Sequence, residues 1–169
     1  STCDVLAMAS YPDFNLNDPY AAPPGEDEST WIGNTEENVK KLYETVWRNK
    51  ALTDTYEPGS TFKSITAAMG IEEGRINKNS IVSDAPLDLS GWQIRCWRKY
   101  QDHGSETFAD AVKNSCNPVF SKLALDIGID KFYEYIEAFG FKSKTGIVLS
   151  GEANSIFHTN PTEIDMAVT

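Results

Sequence analysis

A serine and a lysine three residues apart, Ser60 and Lys63, occur in the stretch TYEPGSTFKSITAAMGIEEG at residues 55–74. The Pro58-Gly59 pair before them interrupts any helix, and the apolar residues after them recur at helical spacing. Ser60 is therefore expected at a helix N-terminus with Lys63 on the same face. A partly neutral amine could take the proton of this hydroxyl and make it a nucleophile. A plain helix start, with a capping serine and a solvated lysine, fits the same residues.

A second hydroxyl occurs in the motif SCN at residues 115–117, between two segments of helical pattern. Thr107 begins the first pattern, and Pro118 suits the first turn of the second, with Asn117 as its cap. Ser115 and Asn117 are therefore expected on a connection between helices. They form either a capping turn or a proton relay beside a substrate-binding amide. S-x-x-K together with S-x-N is found in penicillin-binding proteins and class A β-lactamases.

Four stretches of the chain resemble the transpeptidase domain of class B penicillin-binding proteins. They are VLAMASYPDFNLNDP (5–19), WRNKALTDTYEPGSTFK (47–63), SCNPVF (115–120) and FGFKSKTGIVLSGEA (139–153). The chain looks most similar to elongation- or sporulation-type members from spore-forming Gram-positive bacteria. The resemblance implies the α/β penicillin-recognising serine transpeptidase/β-lactamase-like fold. This chain would supply mainly the helical part and an incomplete antiparallel sheet.

The resemblance also implies a function, peptidoglycan D,D-transpeptidation through an acyl-enzyme. Ser60 would attack the carbonyl of the D-Ala-D-Ala end of a stem peptide, and Lys63 would act as general base. Ser115 would relay the proton to the leaving amine, while Asn117 orients the substrate. β-Lactam antibiotics would acylate the same serine, and the chemistry would need no cofactor.

Two other functions share these motifs. A β-lactamase must activate a water for deacylation, and the sequence contains no Glu-x-x-Leu-Asn stretch to carry the glutamate used in class A enzymes. A β-lactam sensor, or a penicillin-binding module without turnover, needs only the acylation step. Cross-linking of a peptide substrate would separate the transpeptidase from both.

The motif Lys144-Thr145-Gly146 matches the third catalytic motif of the family, K-T-G, but its context does not. It follows a helical pattern at residues 129–140, whereas the catalytic motif lies on a strand. We therefore expect residues 1–169 to be a partial transpeptidase domain that lacks the C-terminal strands and the true K-T-G. The C-terminal remainder of the domain would be a partner, and a membrane anchor outside the chain would place it on the extracytoplasmic face of the cytoplasmic membrane.

The charge of the chain excludes some partners. The formal net charge is −10, without a basic cluster, which argues against nucleic acid and against electrostatic binding to an anionic membrane surface. The segment at residues 1–10 is expected to be a strand, and the segment at 35–49 a helix. The buried face of that helix would hold Val39, Leu42, Tyr43 and Val46.

The cysteines suggest a metal site. Of the three, Cys3, Cys96 and Cys116, the last two enclose His103 with the spacing C-x6-H-x12-C. Two thiols and an imidazole are good zinc ligands. A closed structural site would fix the loop that carries the second catalytic motif.

The sequence leaves open the identity of the fourth zinc ligand and the state of the two cysteines. Asp84 is the preferred fourth ligand, because Asp102 would have to fold back on its neighbour His103. A Cys96–Cys116 disulfide is an alternative, although it would leave the histidine without a purpose. Two unlinked buried thiols are the other alternative.

Overall fold

The computed structural model describes residues 4–98 and 103–167, which divide into two compact units. The first unit comprises residues 1–55 and 146–153, and the second comprises 56–145 and 154–169. All eight residues predicted to carry chemistry or to bind metal belong to the second unit.

The first unit contains helices α1 (Glu36–Thr45) and α2 (Lys50–Thr53). Thr35 caps α1, since its hydroxyl accepts a hydrogen bond from the Asn38 backbone N–H at 3.2 Å. Leu42 is fully buried, as predicted. The prediction for Tyr43 is wrong, because its side chain is 62% exposed. The buried face of α1 is therefore narrower than the spacing of its apolar residues suggested.

The predicted strand at residues 1–10 is wrong for residues 4–10, which adopt no strand. A strand needs a hydrogen-bonded neighbour, and none of the described strands pairs with this segment. Its polar groups have other partners within the unit, since Ser10 Oγ accepts a hydrogen bond from the backbone N–H of Lys50 at 3.1 Å. The apolar run at residues 5–9 was therefore not sufficient to predict a strand.

The second unit holds the remaining elements. A short 3-10 helix at Gly59–Phe62 precedes a set of helices and short strands. They are α3 (Lys63–Glu72), β1 (Ile81–Ser83), β2 (Leu87–Leu89), β3 (Trp92–Ile94), β4 (Ser105–Thr107), α4 (Phe108–Lys113), α5 (Asn117–Ile127), α6 (Ile129–Ala138) and α7 (Glu163–Ala167). The predicted helices after Gly59, after Thr107 and at residues 129–140 are thereby confirmed.

Helix α5 is the centre of the second unit and packs against α3, α6 and α7. Its buried side chains, including Phe120 and Leu123, join a core that also contains Met69 of α3 and Phe132 of α6. Gly70 permits the close approach of α3 to α5, because a Cβ at this position would lie 2.8 Å from Leu123 Cδ1. Helix α3, which follows Ser60, therefore packs closely against the helix that begins at the SCN motif.

The sheet content is low, as predicted for the helical part of the fold. Strand β1 pairs antiparallel with β4, with Val82 opposite Glu106. Strands β2 and β3 form a hairpin whose turn residues, Ser90 and Gly91, both have positive φ. Such a turn matches the twist of the flanking strands. The β1–β4 pair leads directly into α4 and so positions the chain before the second motif.

Candidate active site

The two residues around the start of α3, Ser60 and Lys63, differ in their exposure to solvent. Ser60 lies in the 3-10 helix and is exposed, whereas Lys63 is only 9% exposed. The expected i, i+3 geometry is present, with Lys63 Nζ 3.3 Å from Ser60 Oγ. The alternative of a solvated lysine is excluded by this burial.

The amine of Lys63 is surrounded by oxygens of both motifs. It lies 3.0 Å from Ser115 Oγ and 2.9 Å from the Ser115 carbonyl oxygen. It also donates to Oδ1 of Asn117. The structure thus brings together all four side chains that the sequence predicted to be catalytic.

The surroundings of Lys63 favour its neutral form. Burial lowers the pKa of Lys63 below that of an ordinary lysine, and Cys116 and Cys96 would act in the opposite direction only when ionised to thiolates. The Phe120 ring lies 5.6 Å from Nζ and forms part of the wall around the amine. A lysine in such surroundings can act as a base nearer to neutral pH than a solvated one.

The SCN corner joins α4 to α5 through a strained residue. Ser115 has a φ of 52°, which is uncommon for a residue other than glycine. Asn117 was predicted to cap α5, but it is the first residue of that helix and Cys116 precedes it without a side-chain cap. The reason is competition, since the Asn117 amide oxygen is directed to Lys63 rather than to a helix N–H.

A compact group of three side chains consists of Cys116, within this corner, together with Cys96 and His103. Their ligand atoms all lie within 4.8 Å of one another. Cys96 Sγ is 3.6 Å from His103 Nδ1, and Cys116 is fully buried. Both cysteines are free thiols in this structure. The spacing C-x6-H-x12-C therefore does bring the three predicted metal ligands together.

Asp84, the predicted fourth ligand, lies outside that group of three. It is 6% exposed, and its two oxygens accept hydrogen bonds from the backbone N–H groups of His103 and Gly104, at 2.5 and 3.2 Å. Asp84 thus holds the segment that carries the histidine. The competing ligand Asp102 and the third cysteine, Cys3, lie outside the described residues.

The polar atoms around this group fit a metal ion. His103 Nε2 is buried and has no hydrogen-bond partner among the described residues. Burial raises the pKa of the Cys116 thiol to about 11, so the thiol alone keeps its proton at neutral pH. A metal ion that displaced this proton would provide the missing partner for both groups.

A family assignment follows once this geometry is compared with known proteins. The family model of the penicillin-binding protein transpeptidase domain matches residues 1–169. The chain belongs to the penicillin-binding protein transpeptidase family. This confirms the family predicted from the S-x-x-K and S-x-N motifs.

Two curated penicillin-binding protein relatives show the range of similarity. Stage V sporulation protein D of Bacillus subtilis is 36% identical over 155 residues, which cover 90% of this chain and 21% of that protein. Peptidoglycan D,D-transpeptidase MrdA of Acinetobacter baumannii is 31% identical over 159 residues, which cover 92% of this chain and 22% of that protein. The chain thus spans about a fifth of the length of these relatives.

Solved structures confirm the predicted fold class. The crystal structure of Pseudomonas aeruginosa PBP2 in complex with WCK 5153 matches with a TM-score of 0.72 and 27% identity, over 92% of this chain and 34% of that one. The apo structure of the TP domain of Burkholderia pseudomallei penicillin-binding protein 3 matches with a TM-score of 0.64 at 23% identity, over 72% of this chain and 37% of that one. The fold is therefore that of a penicillin-binding protein transpeptidase domain.

Lys144, Thr145 and Gly146 lie in coil. That this K-T-G is distinct from the third catalytic motif of the family stays a prediction. The extent of the domain beyond the matched residues stays a prediction.

Sequence reasoning missed two polar residues next to the site. Glu106 has a side chain only 9% exposed, and Asn114 Nδ2 donates to its Oε2 at 2.6 Å. A signal was present for Glu106, because it is a carboxylate three residues after His103 in the same segment. Nothing in the spacing of Asn114 distinguished it from a common helix C-cap residue.

Proposed function

We propose that this chain carries the acylating site of a peptidoglycan D,D-transpeptidase, with Ser60 as nucleophile. The observation that carries the proposal is the position of Lys63 Nζ, which is buried between the hydroxyls of Ser60 and Ser115 at 3.3 and 3.0 Å. The amine is thus within hydrogen-bond distance of both hydroxyls that the proposed proton transfer requires. The names of the relatives support peptidoglycan as the substrate.

The proposed acylation moves one proton in two stages. The neutral amine of Lys63 takes the proton of Ser60 while Ser60 Oγ forms a bond to the carbonyl carbon of the D-Ala-D-Ala peptide bond. Ser115 Oγ then passes a proton from Lys63 to the nitrogen of the departing D-alanine as the C–N bond breaks. In the final step the amine nitrogen of a second stem peptide forms a bond to the acyl carbon while the bond from that carbon to Ser60 Oγ breaks, and a proton of the amine returns to Ser60 Oγ. The longest contact of Lys63 Nζ is the one to Ser60 Oγ, at 3.3 Å. In the proposed step the direction of this hydrogen bond reverses, because the Ser60 hydroxyl donates its proton to the neutral amine.

The remaining parts of the machinery are proposed to come partly from this chain and partly from outside it. Asn117 would orient the substrate backbone, and the Ser60 N–H would provide half of an oxyanion hole. The true K-T-G strand, in the C-terminal remainder of the domain, would provide the other half. Among the described residues no helix is long and apolar enough to cross a membrane. The proposed anchor to the extracytoplasmic face of the membrane would also lie elsewhere in the protein.

Labelling with a fluorescent penicillin tests the nucleophile in the complete protein. Ser60→Ala should abolish labelling, because it removes the proposed nucleophile, whereas the other hydroxyl next to Lys63, that of Ser115, is proposed to relay the proton. Ser64→Ala is the matched control, since Ser64 is an exposed serine on α3, next to Lys63, and its hydroxyl donates to the Thr61 carbonyl at 2.8 Å. Labelling that persists in Ser60→Ala, or is lost in Ser64→Ala, would contradict the assignment.

Turnover of a peptide separates the transpeptidase from a β-lactam sensor. The complete protein should convert a D-Ala-D-Ala stem peptide and an acceptor amine into a cross-linked product with release of D-alanine, detected by mass spectrometry. Acylation by penicillin without this product would favour the sensor. Rapid hydrolysis of the penicillin would favour a β-lactamase.

We also propose that Cys96, His103 and Cys116 bind a structural zinc ion, with Asp84 as the fourth ligand. The buried orphan nitrogen of His103 and the distances within the group support this proposal. Asp84 would have to release one backbone N–H to reach the metal. The ion would join the segment around Cys96 to the SCN corner and would take no part in the chemistry.

Metal content and thermal stability test the zinc site independently of activity. Protein purified under reducing conditions should contain one zinc per chain, and a strong chelator should lower its melting temperature. Cys96→Ser and Asp84→Asn should both reduce the zinc content. Asp88→Asn should not, since Asp88 is an exposed carboxylate on the nearby hairpin. Two titratable thiols without metal would favour unlinked cysteines, and two thiols that appear only after reduction would favour the disulfide.

A further inference from the structure

Asn114, the residue before the strained Ser115, is held from two sides. Its side-chain Nδ2 donates to Glu106 Oε2 at 2.6 Å. Its backbone carbonyl accepts a hydrogen bond from the indole N–H of Trp97 at 2.8 Å. We call these three residues, Trp97, Glu106 and Asn114, the Asn114 clasp. Both partners lie in the segment between Cys96 and α4, so the clasp joins that segment to the catalytic corner.

Glu106 is an unusual residue for a merely structural contact. It lies on β4 opposite Val82, and its side chain is 9% exposed. A carboxylate withdrawn from water is costly unless its oxygens are paired. One oxygen is paired with Asn114, whereas Oε1 is buried without a hydrogen bond among the described residues and lies 3.6 Å from His103 Nδ1. The hydrogen bond to Asn114 is therefore kept in spite of the cost of burying a carboxylate.

We infer that Glu106 is a positioning residue for the acylation step, acting on Ser115 and Asn117 through Asn114. The inference rests on the proposed function, in which these two side chains relay the proton and orient the substrate. Ser115 has a φ of 52°, and a residue other than glycine keeps such a conformation only where its neighbours hold it. The clasp fixes both the side chain and the carbonyl of the residue immediately before it.

The consequence of opening the clasp follows from the geometry. Without the bond to Glu106, Asn114 can rotate and Ser115 can relax toward negative φ. Ser115 Oγ would then move away from Lys63 Nζ, from which it is separated by 3.0 Å. Displacements of about 1 Å at a reacting group can lower rates by about 100-fold. The acylation rate constant should fall, while binding of the β-lactam before acylation changes little.

The test measures acylation of the complete protein by a fluorescent penicillin, with the rate constant separated from the encounter affinity. Glu106→Ala and Asn114→Ala should each lower the rate constant by about 10- to 100-fold. Glu106→Gln keeps an oxygen acceptor for Asn114 and should restore the rate to within about 3-fold of the unmodified protein. The double variant Glu106→Ala/Asn114→Ala should be no slower than the slower single variant, because each substitution removes the same Asn114–Glu106 hydrogen bond.

Two further measurements separate the clasp from the neighbouring groups. Trp97→Phe removes the indole N–H from the other side of Asn114 and should give a smaller decrease in the same rate constant. Zinc content should be unchanged in Asn114→Ala, since Asn114 does not belong to the group of potential ligands. Asn114→Ala also supplies a test if Glu106→Ala does not fold.

Several results would overturn the inference. The inference is wrong if the rate losses of Glu106→Ala and Asn114→Ala multiply in the double variant, or if Glu106→Gln is as slow as Glu106→Ala. It is also wrong if the variants lower only the melting temperature and leave the acylation rate constant unchanged. Failure of the proposed function is a distinct result. In that case the unmodified protein itself would not be labelled at Ser60, whatever residue occupies position 106.

Discussion

The two segments that meet at Lys63 are built in different ways. Ser60 is three residues from the lysine, and the first turn of a helix is sufficient to place its hydroxyl. Ser115 and Asn117 reach the same amine from 52 and 54 positions along the chain. The residue before Ser115, Asn114, is hydrogen-bonded to Trp97 and Glu106 outside the corner. The Ser60 segment is therefore local, whereas the SCN corner reaches Lys63 from a distant part of the chain.

Replacement of the shared lysine should have the largest effect on both segments. Lys63→Ala removes the general base, and the acylation rate constant should fall by about 10²- to 10⁴-fold. Lys122→Ala is a suitable control, because Lys122 is a lysine of the same unit that donates to the Ser83 and Ala85 carbonyls. Stopped-flow or gel-based acylation kinetics would measure both. A rate within 3-fold of the unmodified protein in Lys63→Ala would contradict the assignment of the base.

Loss of the amide at Asn117 should affect only the SCN side of the site. Asn117→Ala removes a hydrogen bond to a charged or partly charged amine, for which about 1.5–3 kcal/mol is typical. The acylation rate constant should therefore fall by about 10- to 100-fold, less than in Lys63→Ala. Asn79→Ala, on an exposed turn of the same unit, should leave it unchanged. An equal loss in both asparagine variants would indicate a general loss of folding instead.

The pH dependence of acylation should reflect the burial of Lys63. The base is active only when neutral, so the rate should rise with pH through the lysine pKa. Burial lowers that pKa, so the midpoint of the rise should lie below 10.5, the ordinary value for lysine. Opening the SCN corner to water by Asn114→Ala should move the midpoint upward. A rise centred at the ordinary lysine value in the unmodified protein would contradict the effect of burial.

The contact between the two segments at Gly70 should affect stability more than chemistry. A Cβ at this position would lie 2.8 Å from Leu123 Cδ1, so Gly70→Ala should lower the free energy of unfolding by about 1–3 kcal/mol. Denaturant titration would measure it. The double variant Gly70→Ala/Leu123→Ala provides the space and should lose less than the sum of the single variants. Additive losses would indicate that the two helices do not constrain each other there.

The same contrast explains what the sequence could and could not predict. Spacing of three residues predicted the Ser60–Lys63 contact, because helical geometry is local. It did not predict that Asn117 begins a helix instead of capping it, because this depends on a lysine 54 positions away. The predictions of burial for Tyr43 and of a strand for residues 4–10 were wrong for a similar reason, since burial and strand pairing depend on distant partners. Glu106 and Asn114 carried no motif, and only the structure brings them together.

The measurement that tests the account most directly is the mass of the acyl-enzyme and the position of its adduct. The complete protein would be treated with a β-lactam, digested and mapped by tandem mass spectrometry. The account predicts a single adduct with the mass of the intact β-lactam on Ser60, and its absence in Ser60→Ala. An adduct on another residue, such as Ser115, or no covalent adduct at all, would contradict the claim that these two segments form an acylating site around Lys63.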